Sequence, residues 1–312
     1  MSQPMDRPYA GEADYAQLRD LLTAMPPLSG PAVYCTAGDL DWWRYSDDDP
    51  MAIQLVHLWF ADAALLGFAW PKDDQVDLLA HPHYRDIEPA MLHWAESARR
   101  LNSKASEPLS LRAWAYDGDT RRTALLRGQG YVRTDTSFVY RSRTLDVPIP
   151  ALHLPSGYTL RQLEGHAEIE QRVAVHRAAF TGSHMSVAKH CTLMDAPTYR
   201  ADLDLVAVAP DGAFAAFGIV WLDIANRLGV FEPVGTHPAH RRQGLGQAIL
   251  SEGMRRLQRL GARAVYVNSR GEDVAASRLY ESVGFGLFDR NHAWKKSLYR
   301  TPAGSAPSDL LA

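Results

Sequence analysis

The chain has 312 residues, 46% hydrophobic and 22% charged, the balance of a soluble globular protein but too long for one ordinary domain of roughly 100–150 residues. A formal net charge of -3 gives no basic footprint for nucleic acid, and no apolar run approaches the roughly 20 residues that cross a bilayer. The two cysteines, Cys35 and Cys191, lie far apart, which excludes a disulfide framework and offers no metal-ligand spacing; both read as small buried apolar groups, and no metal is expected.

In chain order, Met1 to Gly11 lacks the apolar stretch of a signal peptide, so a cytoplasmic protein is expected. The acidic run Asp47 to Asp49 reads as a solvated loop. Leu55 to Phe60 and Ala64 to Trp70 form a hairpin, and Val76 to Leu79 is a strand. His81-Pro82 precedes a helix carrying Met91, Ala95, Ala98 and Leu101 at helical spacing, and Leu109 to Trp114 is a strand. Gly130-Tyr131 follows. Three prolines between Leu145 and Pro155 remove backbone donors and favour an extended linker.

The same order then repeats. Tyr158 to Gln162 is a strand, followed by a helical stretch through Val173, His176 and Phe180. Leu205 to Ala209 and Phe214 to Leu222 form a hairpin about Pro210-Asp-Gly212, and Leu228 to Thr236 is a third strand. A Gly-containing loop leads into a helix from about Leu245, with Leu250, Met254 and Leu257 on one face. Ala264 to Val267 is a strand, Ala275 to Val283 a helix, and Phe285 to Phe288 and His292 to Lys296 are the last strands. Gly284-Phe285 matches Gly130-Tyr131 and His237-Pro238 matches His81-Pro82 at nearly the same separation, which reads as a duplication. The segment from Thr301 is rich in Pro, Ser and Ala and is expected to be disordered.

The run Val234-Gly-Thr-His-Pro-Ala-His-Arg-Arg-Gln-Gly-Leu-Gly-Gln-Ala248 carries chemistry. Its glycines let the backbone approach a ligand, and the free N–H groups of a helix's first turn make an anion site. Arg241 and Arg242 add charge suited to a pyrophosphate. Downstream stands Asp273-Val-Ala-Ala-Ser-Arg-Leu-Tyr-Glu-Ser-Val-Gly-Phe285. With these two motifs the chain resembles the GNAT superfamily of acetyltransferases, which pairs Arg/Gln-x-x-Gly-x-Gly/Ala with a later Asn-x-x-Ala-x-x-Leu-Tyr-x-x-x-Gly-Phe. Arg241, Gly244 and Gly246 match the first motif; Ala276, Leu279, Tyr280, Gly284 and Phe285 match the second, while Asp273 replaces the usual Asn.

The resemblance implies an α/β (α+β) fold of two tandem GNAT-type domains, each a mixed, mostly antiparallel splayed sheet flanked by helices. The expected division is a degenerate domain over 1–145, a linker over 146–155, a catalytic domain over 156–300 and a tail over 301–312. It implies acetyl-CoA as cosubstrate, its pantetheine arm against the backbone of Val234, Gly235 and Thr236. The pyrophosphate would lie on Arg241, Arg242, Gln243, Gly244, Leu245, Gly246 and Gln247, with Asp273, Ser277 and Tyr280 also on the cofactor. Tyr280 is the expected general acid at the sulfur. Pro233 cannot donate to a neighbouring strand, so the ladder should bulge or part there.

Transfer to an amine needs a proton acceptor. Glu232 is the only carboxylate on the strand that borders the expected thioester. Alternation would set it on one face with Val234, and the apolar neighbours Val230 and Phe231 should raise its pKa. Asp223, Tyr199, His184 and His292 are weaker pocket candidates, and His237 and His240 flank the loop. In the first half the loop position reads Tyr84 to Met91, without glycine and with two carboxylates where a pyrophosphate would lie, and about Leu126 stands in the tyrosine's place. That half should be structural and could wall the acceptor pocket. The tandem arrangement resembles the mycothiol-synthase-like acetyltransferases, but no motif fixes their thiol-sugar amine. A small-molecule amine acceptor leads, with a peptide or protein N-terminus, or a catalytically silent CoA-binding regulator, left open.

Overall fold

The computed structural model describes residues 4–25, 34–101 and 109–298; the expected disordered tail from Thr301 lies outside them. The first half comprises β1 (Met5–Pro8), α1 (Glu12–Ala24), α2 (Ala37–Tyr45), β2 (His57–Ala61), β3 (Ala64–Lys72), β4 (Gln75–Ala80), α3 (Glu88–Leu101), β5 (Ser110–Tyr116), α4 (Thr120–Gly128) and β6 (Val132–Thr144). The second comprises β7 (Thr159–Gln162), α5 (Ile169–Ala179), α6 (Val187–Met194), β8 (Asp204–Val208), β9 (Phe214–Asp223), β10 (Leu228–Thr236), α7 (Leu245–Arg259), β11 (Ala264–Arg270), α8 (Val274–Ser282) and β12 (Gly286–Ser297). The sequence reading missed α1, α2, α4, α6, β1 and β6, and it split β12 in two.

All strands join one sheet in the order β1-β2-β3-β4-β5-β12-β6-β11-β10-β9-β8-β7. Among the described residues only β4–β5 and β10–β11 pair in parallel. The order is palindromic about β12 and β6, and each half completes itself with the other's last strand. β12 pairs with β5 over Asn291–Ser297, and β6 pairs with β11 along Phe138–Thr144. The proline-rich stretch at 146–155 therefore separates two sequence repeats without dividing the sheet. It lies along α7, where Arg255 donates to the Pro150 carbonyl and Gln258 to the Leu145 carbonyl.

Helices cover the sheet where apolar faces demand it. Leu250, Met254 and Leu257 of α7 bury against Val220, Phe231 and Val265. Met91, Leu92 and Ala95 of α3 do the same over Val76, Leu78 and Leu111. The repeat is exact in its small parts. His81 and His237 each accept from the backbone N–H two residues on, at 3.2 Å in both halves. Tyr131 N–H bonds the Leu126 carbonyl at 2.9 Å as Phe285 N–H bonds that of Tyr280 at 3.1 Å, beyond Gly130 and Gly284 with φ of 82° and 86°. One helix bridges the halves: α2 packs on α1 and also on β9 and β10, with Gly38 pressed against the Trp221 side chain, where any Cβ would collide.

Candidate active site

The sheet splits at β10. This strand pairs with β11 only over Leu228–Phe231 and then continues to Thr236 without it. Pro233 has no N–H to give, and on the other side the register to β9 slips between Phe231 and Val234, leaving one extra residue in β10. The peptide bond Glu232–Pro233 is cis, and Trp221 Nε1–H donates to the Glu232 carbonyl at 2.7 Å. The bulge overturns simple alternation. Val234 faces α7 beside Ile249, whereas Glu232 turns to the opposite side, into a cavity with Asn268 and Tyr140. The expected shared face of Glu232 and Val234 is therefore wrong, because the extra residue inverts every side chain beyond it.

Beyond Thr236 the chain turns through residues 238–240 into the arginine–glycine loop. Arg241 Nε and Nη2 donate to the carbonyls of Thr236 and Ala179 at 3.3 and 3.2 Å, so this guanidinium ties the strand end to α5. Arg242 is exposed and takes a left-handed φ of 61°; Gly244 follows at 82° as the cap of α7. That conformation disfavours any side chain at Gly244. Gly246 is fixed by packing instead, since a Cβ there would lie 3.0 Å from Leu279 of α8. Gln247 Nε2 donates to Ser282 Oγ at 2.7 Å, locking α7 to α8. Asp273 caps α8 by accepting from Ala276 N–H at 2.8 Å, which accounts for a carboxylate where the motif carries Asn. Ser277 is half-buried on α8, and Tyr280 is buried among Phe231, Met254 and Phe285. Burial holds the Tyr280 phenol well above its ordinary pKa, with the charge of Glu232 adding to the effect.

The same stations in the first half are filled by the chain itself. Counting from the paired histidines, Arg85 stands where Arg241 does and Glu88 where Gly244 does. Glu88 lies 2.6 Å from Arg85 and 2.8 Å from Arg122, and Arg85 also meets Asp119 at 2.7 Å, all buried. The split between β4 and β5, which pair only over two residues, holds Tyr34. Its hydroxyl donates to Asp119 at 2.7 Å and accepts from the Tyr116 N–H at 3.2 Å.

Between the halves lies a cavity of about 490 Å³ bounded by α2, β4, β6 and β11, with Glu232 in its wall. Burial pushes the Glu232 carboxyl up to about 8; the charge of Asp39 adds to this and a hydrogen bond from Asn268 opposes it. Asp77 is pushed up to about 7 by burial, against the pull of Arg122 and Lys72. Asp39 is raised by burial despite the Thr36 N–H and hydroxyl on its Oδ2 at 2.8 and 2.7 Å. Sequence reading missed Asp39, Asp77, Asn268 and Tyr140. The available signals were Thr36-x-x-Asp39, a capping box, and a lone acid among apolar residues in β4.

The weaker candidates fall outside this cavity. Asp223 closes a turn with Asn226, Tyr199 bonds Asp204, His240 bonds Tyr158, His292 meets Arg133, and His184 is exposed. The run Asp47 to Asp49 is not simply solvated: Asp47 accepts from Lys72 at 2.6 Å, and Asp48 pairs with Lys189 of the second half. Cys35 is buried, and Cys191 lies half-exposed 3.8 Å from His166. Among the described residues no helix is long and apolar enough to cross a membrane.

Residues 174–285 match the family model described as the acetyltransferase (GNAT) family. The mycothiol acetyltransferase of Salinispora tropica is 30% identical over 220 residues, covering 67% of this chain and 69% of that protein. That of Salinispora arenicola is 29% identical over 255 residues, covering 76% and 80%. Among solved structures, a tandem GNAT protein from the clavulanic acid biosynthesis pathway superposes with a TM-score of 0.71 at 18% identity, covering 96% of this chain and all of the other. A GCN5-related N-acetyltransferase from Sphaerobacter thermophilus gives 0.65 at 20% identity, covering 95% and 96%. The split strand, the glycine-capped helix and the tyrosine of α8 thus stand in a chain that belongs to the GNAT family of acetyltransferases, built as two such domains in tandem.

Proposed function

We propose that the chain transfers the acetyl group of acetyl-CoA to the amine of a small molecule held in the cavity between the halves. Acetyl-CoA supplies the acetyl group as an activated thioester. The second domain, residues 156–300, binds it: the unpaired edge of β10 at Val234, Gly235 and Thr236 receives the pantetheine amides. The loop Arg242–Gln247 at the N-terminus of α7 receives the pyrophosphate. The first domain, residues 1–145, binds no cofactor and supplies the acceptor wall.

Glu232 carries the reading. It stands where β10 leaves β11, it lines the cavity between the halves, and burial pushes its carboxyl up to about 8, which suits a group that takes a proton from an ammonium near neutrality. Tyr280, kept protonated, donates to the departing sulfur from α8. Residues of the first half that line the cavity limit the room beside Glu232 and favour a small acceptor over a polypeptide, in keeping with relatives named mycothiol acetyltransferases. The test is thiol release from acetyl-CoA over a panel of small amines. Release that depends on no amine, or that Glu232→Gln leaves intact, would refute the proposal.

A further inference from the structure

The duplication places a second carboxylate opposite Glu232. Asp77 lies four residues before His81, and Glu232 five before His237, the difference being the extra residue of the bulge. Each sits on the strand that leaves its parallel neighbour, and both face the one cavity. The Asp77 carboxylate accepts no hydrogen bond among the described residues. Asp39, from α2, keeps Oδ1 outside its capping box and lines the same cavity as Asp77, Glu232 and Tyr140.

Nearby cations are largely committed. Arg112 is held by Asp74, Arg122 by Glu88, and Lys72 by Asp47. Arg270 lines the cavity too, but it is exposed to solvent, as is Glu272. Asn291, only 6% exposed, lines the same space with its Oδ1 unpartnered. Trp42 and Trp114 also line it, and an indole ring can attract a cation. Buried carboxylates are tolerated when paired, and here the pairing partner must come with the ligand.

Resting on the function proposed above, we infer that the acceptor is a diamine or larger polyamine, whose second ammonium binds Asp77 and Asp39 while its reacting amine meets Glu232. In the transfer the N–C bond forms and the C–S bond breaks. Glu232 takes the proton from nitrogen, Tyr280 gives one to sulfur, and the second ammonium stays protonated.

The test compares α,ω-diamines from diaminobutane to diaminooctane with monoamines and amino alcohols of equal length, on the full chain. The best diamine should exceed its matched partners in kcat/KM by at least about tenfold, and Asp77→Asn should abolish most of that preference. A permethylated diamine, which cannot be acetylated, should bind more tightly than its monoamine counterpart by calorimetry, a measurement that stands even if the variant folds poorly. Equal use of amino alcohols, a preference that Asp77→Asn does not reduce, or no diamine acetylated would overturn the inference. Amine transfer that is lost in Glu232→Gln alongside an unmoved preference in Asp77→Asn removes only this inference. Transfer unchanged in Glu232→Gln removes the underlying reading instead.

Discussion

Glu232→Gln separates a working base from a buried structural acid. Between an ordinary pKa of 4.5 and about 8, the folded protein disfavours ionisation by about 5 kcal/mol at about 1.4 kcal/mol per tenfold, a ceiling that relaxation and water entry will lower. An acid whose pKa is raised by folding binds its proton more tightly in the folded state, so stability falls as pH rises from about 4.5 to about 8. Glutamine mimics the protonated form and escapes that fall. The variant should therefore melt like the wild type near pH 4 and above it near pH 9, by several degrees at a few degrees per kcal/mol.

Activity should move the other way. For the wild type, kcat/KM should rise with pH through a midpoint near 8, where Glu232 is half ionised, and level off above it. In Glu232→Gln that limb should vanish and turnover fall by roughly 100-fold or more, with acetyl-CoA affinity little changed. Stopped turnover assays and thermal melts from pH 4 to 9 give both readouts from one preparation. A variant with full turnover and the limb intact would refute the base assignment. Equal melting temperatures at every pH would refute the burial argument itself.

Tyr280→Phe keeps the ring packed on Phe285 and should lower turnover by roughly 10- to 1,000-fold at unchanged melting temperature, measured per folded enzyme. Gly244→Glu forces a side chain into a left-handed cap and sets a carboxylate at the anion site, as Glu88 does in the first half. Acetyl-CoA affinity should drop by at least about 1–3 kcal/mol in calorimetry. Cleaving the chain within 146–155 should not release two independent domains, because β6 and β12 each lie in the other half's sheet; gel filtration after proteolysis should find the halves together.

The second half was legible because its motif elements obey local rules. Gly244 and Gly284 mark left-handed positions, Pro233 forces the strand apart, and the apolar face of α7 repeats at helical spacing. Glu232 was found by its strand, but its direction was not, since alternation cannot register a bulge whose extra residue appears only against β9. The sequence repeats were visible, whereas the exchange of β6 and β12 was not: which strand lies beside β5 is decided by long-range pairing. Asp39 escaped for a related reason. Its own helix gives it a capping role, and only the placement of α2 on β9 and β10 brings it to Glu232.

The two halves show what a cofactor cleft requires by showing one that has closed. In the second half the glycine cap leaves the first turn of α7 open, and β10 beyond Phe231 no longer pairs with β11. In the first, Glu88 at the glycine's station brings its own anion to Arg85 and Arg122, while Tyr34 supplies the hydroxyl that satisfies the Tyr116 N–H. Breaking such a network by removing one partner is costly, because the remaining charges stay buried. The network therefore keeps the first cleft filled without a ligand, and it also anchors Tyr34, five residues before Asp39. The segment that carries the acceptor wall is thus held by the very groups that fill the disused cleft. If that link matters, Tyr34→Phe should raise KM for the amine while leaving KM for acetyl-CoA unchanged. A variant that moves neither constant would mean that α2 is positioned by its other contacts, with α1 and with Trp221.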